Sequence, residues 1–313
     1  MRVWHRWPWR LRSLTAHVSN TATQTAVGQA TTRVSADVSL DCPKFSEGCG
    51  GCSLSAGLQQ PPALLEARTF FQSRGILLSS KLSDVHGWRC RARLAVRKGP
   101  KGVPQVGLFK PGSHSVQPLT SCPLHHPRIN EAVQIVNICV REKGISAYDE
   151  VPLRKGSKAQ PQSSGLLRYL QLTTCSVQGR SPCEADAPVQ LVCVVNCKSS
   201  NTGATAKLEQ ALASLFKAHG PASTHSLFHS IWLNFQPSPQ NRILGDQWRR
   251  LHGPEWMWHS YCGGAALVAL HPASFVQVRS ATMCDTISRG RCTKLHRDQM
   301  ESALCTCRST TAR

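Results

Sequence analysis

The chain has 313 residues, 15 of them cysteine, and carries 37 Lys and Arg against 17 Asp and Glu, a formal charge of +20 with histidine neutral. That length holds about two domains, and no run of about 18 apolar residues occurs, which argues against a membrane-spanning helix. The excess of positive charge favours a polyanionic partner, most commonly nucleic acid, with organelle import and solubility as the bland alternative.

From Met1 to Ser35 there is no Asp, Glu or Lys, but there are five Arg and nine Ser or Thr. Without the sustained apolar core of a secretory signal, this composition reads as an organelle transit peptide over residues 1–36. The destination expected is an organelle, the chloroplast ahead of the mitochondrion. An odd number of cysteines in such a chain argues against a complete disulfide framework. Those in apolar runs, such as Cys139 and Cys193, read as small buried hydrophobes.

Next comes "CPKFSEGCGGC", where Cys42, Cys49 and Cys52 are crowded among glycines. The segment "ALLEARTFFQSRGI" (63–76) has Leu64, Leu65, Phe70 and Phe71 at roughly helical spacing, with Gly75 to end it. "WRCRARLAVRKG" (88–99) alternates: Arg89, Arg91 and Arg93 are expected on a wet face, and Cys90, Ala92, Leu94 and Val96 on a buried one. Two short strands then flank a Lys-Pro-Gly-Ser turn at Lys110. "PRINEAVQIVNICVREKG" (127–144) predicts a helix opened by Pro127 and closed by Gly144. Strands are expected in "GLLRYLQLTT", "VQLVCVVN" (189–196) and "HSLFHSIWLNFQ" (225–236), with a helix at 205–220. This alternation predicts an α/β (α+β) domain with a mostly antiparallel sheet. Beyond Arg279 no periodicity or apolar run is found, and the tail is expected to be disordered.

Cys42, Cys49 and Cys52 follow the spacing C-x6-C-x2-C, and Cys122, followed by a proline, is a remote fourth candidate. Four thiolates converging on a Gly-rich loop suit a 4Fe-4S cluster. They equally suit a structural zinc site, in which His125 or His126 could stand in for Cys122, and a site without metal is the third reading. Arg89, Arg91 and Arg93, with Lys98, Lys101 and Lys110, form a candidate phosphate-contacting set; a solvated sheet face is its alternative. Trp248, Trp256 and Trp258 could stack on unpaired bases, although packing is the usual role of such rings.

The sequence resembles the RNA uracil-C5 methyltransferase family, iron–sulfur enzymes acting on ribosomal or transfer RNA. The resemblance rests on "CPKFSEGCGGC", on "WRCRARLAVR" with "VGLFKPGSHSVQPLTSCP", on "GLLRYLQLTT", and on "NRILGDQWRRLHG" with "ALHPASFVQV", in that order over residues 40 to 278. It implies a 4Fe-4S cluster on Cys42, Cys49, Cys52 and Cys122, an RNA partner, and methyl transfer from S-adenosylmethionine. The first cysteine spacing is one residue longer than the commoner family pattern. In the family a cysteine thiolate adds to C6 of uracil, C5 takes the methyl group, and a base removes the C5 proton.

The resemblance assigns one cofactor-site residue, Gln277; Arg279 stands where the family has asparagine. Past Phe275 the Gly-rich turn, the Asn/Asp-Pro-Pro motif and the Ser-Cys-Asn nucleophile of the family's Rossmann-like domain are not found. No catalytic residue is therefore assigned, and the chain is expected to stop short of the catalytic half. The division expected is 1–36 transit peptide, 37–125 cysteine loop with basic strand and hairpin, 126–265 central RNA-binding domain, 266–280 the start of the methyltransferase domain, and 281–313 tail. A non-catalytic iron–sulfur RNA-binding module is the alternative function.

Overall fold

The computed structural model describes residues 39–78, 85–150, 163–175, 186–239, 242–261 and 266–275. The chain divides between Ala36 and Asp37 into two units, and all of these residues belong to the second. The expected transit peptide, the tail and Gln277 lie outside the described residues.

In chain order the elements are α1 (Pro43–Ser46), α2 (Pro62–Gln72), β1 (Arg91–Lys98), β2 (Pro104–Phe109), β3 (Val116–Pro118), α3 (Pro127–Glu142), β4 (Asp149–Glu150), β5 (Ser163–Ser164), β6 (Leu167–Thr174), β7 (Val189–Val195), α4 (Thr202–His219), β8 (Phe228–Phe235), β9 (Gln247–His252), β10 (Met257–Tyr261) and β11 (Ala266–Leu270). A seven-stranded sheet runs in the order β3-β2-β1-β6-β7-β8-β9, across the 125/126 boundary drawn from the sequence. Its pairings are antiparallel apart from β7 with β8. A parallel pair needs a crossover, and α4 supplies it. The mixed α+β architecture agrees with the sequence reading. Two strand pairs, β4 with β5 and β10 with β11, stand outside the main sheet.

Side chains alternate across each strand, so the sheet has two unlike faces. On the first, Leu94, Leu170, Leu172, Leu191, Ile231 and Leu233 meet α3 and α4 in one apolar core that also holds Ile129, Val133, Leu208 and Leu212. α3 begins where Pro127 fits the first turn and His126 Nδ1 accepts from Arg128 N at 3.2 Å. α4 is capped by Asn201, whose Oδ1 accepts from Ala204 N at 3.2 Å.

The second face is polar and aromatic. Val192, Val194 and Trp232 form a small cluster there, with Tyr169, Leu244 and Trp248 against it. Residues 271–275 cross this face: Arg91 Nη1 donates to Ser274 O at 2.7 Å, and Gln171 Nε2 donates to Pro272 O at 2.9 Å. The His271 ring lies 5.0, 5.6 and 5.7 Å from the rings of Trp232, Trp248 and Trp256. This corrects the wet-face reading of β1 at Arg91, which is only 7% exposed. Alternation put its side chain on the right face, but that face is covered by chain 183 residues later, which no local pattern reports.

Candidate functional site

The cysteine loop is closed at its base by Leu40 N donating to Ser55 O at 2.9 Å. The short α1 turns the chain between Cys42 and Cys49, with Phe45 N donating to Cys42 O and Cys49 N to Lys44 O. Gly48 has φ 86°, a left-handed conformation that favours glycine. The next glycines let the loop lie flat on β2. A Cβ on Gly50 would fall 2.7 Å from Phe109 O, and one on Gly51 2.8 Å from Leu108 Cδ1. Glu47 adds a polar tie, pairing with Lys44 at 2.7 Å and accepting from Gln117 Nε2 at 2.8 Å.

Cys122 comes from the far end of the hairpin and is buried. Asn130 of α3 fixes its backbone from both sides: Cys122 N donates to Asn130 Oδ1, and Asn130 Nδ2 donates to Cys122 O, each at 3.0 Å. Cys42 and Cys52 pack against the apolar core that includes Cys122. All four thiols are free and none is fully exposed.

Electrostatics joins the four into one neighbourhood. Burial pushes the Cys52 thiol up, and the negative charges that Cys122, Cys49 and Cys42 would carry push it further, while the Arg89 guanidinium opposes them. Burial likewise raises Cys122, against backbone hydrogen bonds from Leu124 and His125 and the charge of Arg89. Like-charge repulsion among thiolates is what a bound cation or cationic cluster relieves, so this donor set fits such a group chemically. Among the described residues, no three His, Cys, Asp or Glu side chains stand in position around a single metal ion. A cubane binds one thiolate at each corner iron, so it requires the four to surround a cluster and not to share one ion.

Arg89 has a place in this site. Its backbone is locked to the Cys122 segment, N donating to Leu124 O at 2.8 Å and O accepting from His126 N at 3.1 Å. Beside it, burial first and then the Arg89 charge hold the His125 pKa down at about 4. His125 is therefore neutral at ordinary pH. His126 is turned to capping α3.

The other basic residues separate. Arg93 is exposed and its Nε donates to Gln171 Oε1 at 2.8 Å. Lys98, the last residue of β1, and Lys101 and Lys110, on the turns at either end of β2, are exposed, and Lys98 faces Asp149 at 3.7 Å. Arg91 is taken up by Thr173 Oγ1 at 3.0 Å and the Ser274 carbonyl. The three tryptophans differ as well: Trp258 is 59% exposed, whereas Trp248 packs on the second-face cluster.

Sequence reasoning missed Arg97 and Arg168, buried cations that organise aromatic rings. Arg97 lies 5.0, 4.8 and 5.0 Å from the ring centres of Phe109, Tyr148 and Tyr169. Arg168 lies 4.4 Å from Tyr148 and donates to Gln236 O and Ser238 O, both at 2.6 Å. Alternation places Arg97 with Arg91 and Arg93, and that was the available signal.

Fold and site together define a mixed α/β chain with a three-cysteine loop lying on β2 of a mostly antiparallel sheet, near Cys122 beyond the hairpin. Its relatives supply the family. The chain is 32% identical over 238 residues to an uncharacterised RNA methyltransferase of Protochlamydia amoebophila, a match covering 76% of this chain and 55% of that protein. Over 171 residues it is 29% identical to one of Geobacter sulfurreducens (51% and 32% of the two chains), and over 161 residues 27% identical to one of Synechocystis (51% and 28%). The chain belongs to this family of RNA methyltransferases, and it spans about half the length, or less, of these relatives. No protein-family model matches it.

Proposed function

We propose that this protein serves the S-adenosylmethionine-dependent methylation of uridine C5 in ribosomal or transfer RNA, and that its described residues bind the RNA and carry a 4Fe-4S cluster. The observation that carries the cluster is the gathering of Cys42, Cys49, Cys52 and Cys122 beside Arg89. Bound there, the cluster would tie the Gly-rich loop to the hairpin, with Arg89 offsetting the negative charge of the thiolates. The RNA reading is supported by the family and by the exposed Arg93, Lys98, Lys101 and Lys110. Gln277 is the residue we assign to the methyl donor, through the resemblance stated above.

The test is anaerobic purification followed by iron, zinc and acid-labile sulfide analysis, with methyl transfer to unmodified RNA measured in parallel. Four irons and four sulfides per chain support the cluster, and one zinc without sulfide replaces it. Transfer of label from S-adenosylmethionine to uridine C5 establishes the enzyme. RNA binding with a loaded cluster but no transfer establishes the non-catalytic module for this polypeptide. We also propose that residues 1–36 direct the protein to an organelle, a chloroplast before a mitochondrion; a fluorescent fusion of that segment left in the cytosol would refute it.

A further inference from the structure

The second face of the sheet is not covered everywhere. Between residues 271–275, which lie across Arg91, Gln171 and Trp232, and the free edge at β3, it opens into a cavity of about 330 Å³. The cavity is lined by Arg93, Ala95, Leu108, Phe109, His114 and Tyr169, among others. Its floor comes from the sheet register: Ala95 pairs with Gly107 on one side and with Tyr169 on the other. The Ala95 methyl leaves room above it, while at Gly107 the Gln117 backbone of β3 takes the place of a side chain; the rings of Phe109 and Tyr169, 6.5 Å apart and nearly perpendicular, wall the hollow.

These walls are braced. Arg97 sits 5.0 Å from each of the two ring centres, and its Nη2 donates to Tyr169 Oη at 3.1 Å. On the other side Gly50 of the cysteine loop approaches the Phe109 carbonyl so closely that a Cβ there would lie 2.7 Å from the oxygen. His114, exposed on the β2–β3 turn, stands 6.1 Å from Phe109 and also lines an adjoining, more polar cavity of about 350 Å³ with Arg97, Lys98, Ser115 and Asp149. The two hollows therefore share a wall: one is aromatic with a guanidinium at its side, the other carries an exposed ammonium. The Lys98–Asp149 pair at 3.7 Å is a surface pair of little worth, which an entering phosphate can displace.

We propose that this double cavity is a binding site for one unstacked nucleotide of single-stranded RNA. The base packs into the hollow against Phe109, Tyr169 and His114, and the adjoining phosphate lies toward Lys98. The inference rests on the RNA-binding reading above and refines it. Rings beside cations are the arrangement by which single strands are held without duplex structure, and the chain charge of +20 suits the partner. The hollow is at the small end of ligand-sized pockets, which suits a single nucleoside and not a base pair.

The test uses the full chain with a fluorescein-labelled single-stranded 12-mer oligouridylate and, separately, an RNA duplex of equal length, both read by anisotropy across a salt series. Phe109→Leu keeps an apolar side chain but loses the ring; His114→Ala alters only an exposed turn and decides the matter should the first variant melt early. We expect each to weaken single-strand binding by about 5- to 50-fold, with duplex binding and the salt slope unchanged. Unaltered single-strand binding in His114→Ala and in a folded Phe109→Leu overturns the cavity proposal; loss of affinity for both RNAs in Lys98→Ala, Lys101→Ala and Lys110→Ala would then still uphold the basic surface. If the parent chain binds neither RNA, the broader reading falls too.

Discussion

A single arginine row on β1 shows how differently neighbouring residues are used. Arg91 is covered and donates to Thr173 and Ser274, Arg93 faces water, and Arg97 sits among aromatic rings. Replacing Arg91 by Ala strands the buried Thr173 hydroxyl and the part-buried Ser274 carbonyl and should cost about 1–3 kcal/mol in urea unfolding. Arg93→Ala takes one donor from the buried Gln171 Oε1 and should cost about 1 kcal/mol while lowering RNA affinity and the salt slope together. A thiol has the same duality. On the cluster proposal Cys122→Ser or Cys52→Ser should abolish iron and sulfide incorporation, whereas Cys193→Ala, at a core side chain on β7 that is no part of the proposed ligand set, should leave metal content intact. Equal metal content in all three variants would remove the cysteine assignment.

At the scale of elements, β6, β7 and β8 are central and buried on both sides, and α3 and α4 seal the first face. Leu170→Ala or Leu191→Ala should therefore destabilise by about 2–5 kcal/mol, measured as a lower urea midpoint with an unchanged slope. Burial also lowers the pKa of His229 on β8 and of His259 on β10. Their folded forms bind fewer protons than the unfolded chain does below an ordinary histidine pKa of about 6.5. Stability is therefore full above that value and falls as the pH drops through it. A urea midpoint that decreases from pH 7.5 to 5.5 in the parent chain, and less so in His229→Gln, would show this; equal slopes in both would deny it to His229.

Across the whole molecule, the cysteine loop and the sheet's second face meet at Phe109. Gly50 approaches its carbonyl so closely that a side chain would not fit, and its ring walls the cavity. On the cluster proposal, removing the iron by oxidation and chelation should loosen the loop and raise amide exchange at residues 104–109 while leaving β7 protected. Uniform exchange before and after chelation would separate loop from sheet.

Much of this was legible from the chain. Alternation in "WRCRARLAVRKG" placed β1, apolar spacing with Pro127 and Gly144 placed α3, and the local spacing of Cys42, Cys49 and Cys52 marked the loop. β9 and β10 were not found, because "DQWRRLHGPEWMWH" mixes aromatic and basic residues without a clean period, and β11, "ALVAL", is a short apolar run whose type periodicity alone does not decide. The sequence by itself determined which residues share a face, since side-chain direction is set by backbone geometry within a few residues. Only the tertiary structure decided which faces are covered, joining Arg91 to Ser274, Cys122 to the loop, and Phe109 to Tyr169 through Arg97. Burial is a property of chain brought from far away, and local periodicity carries no information about what that chain will be.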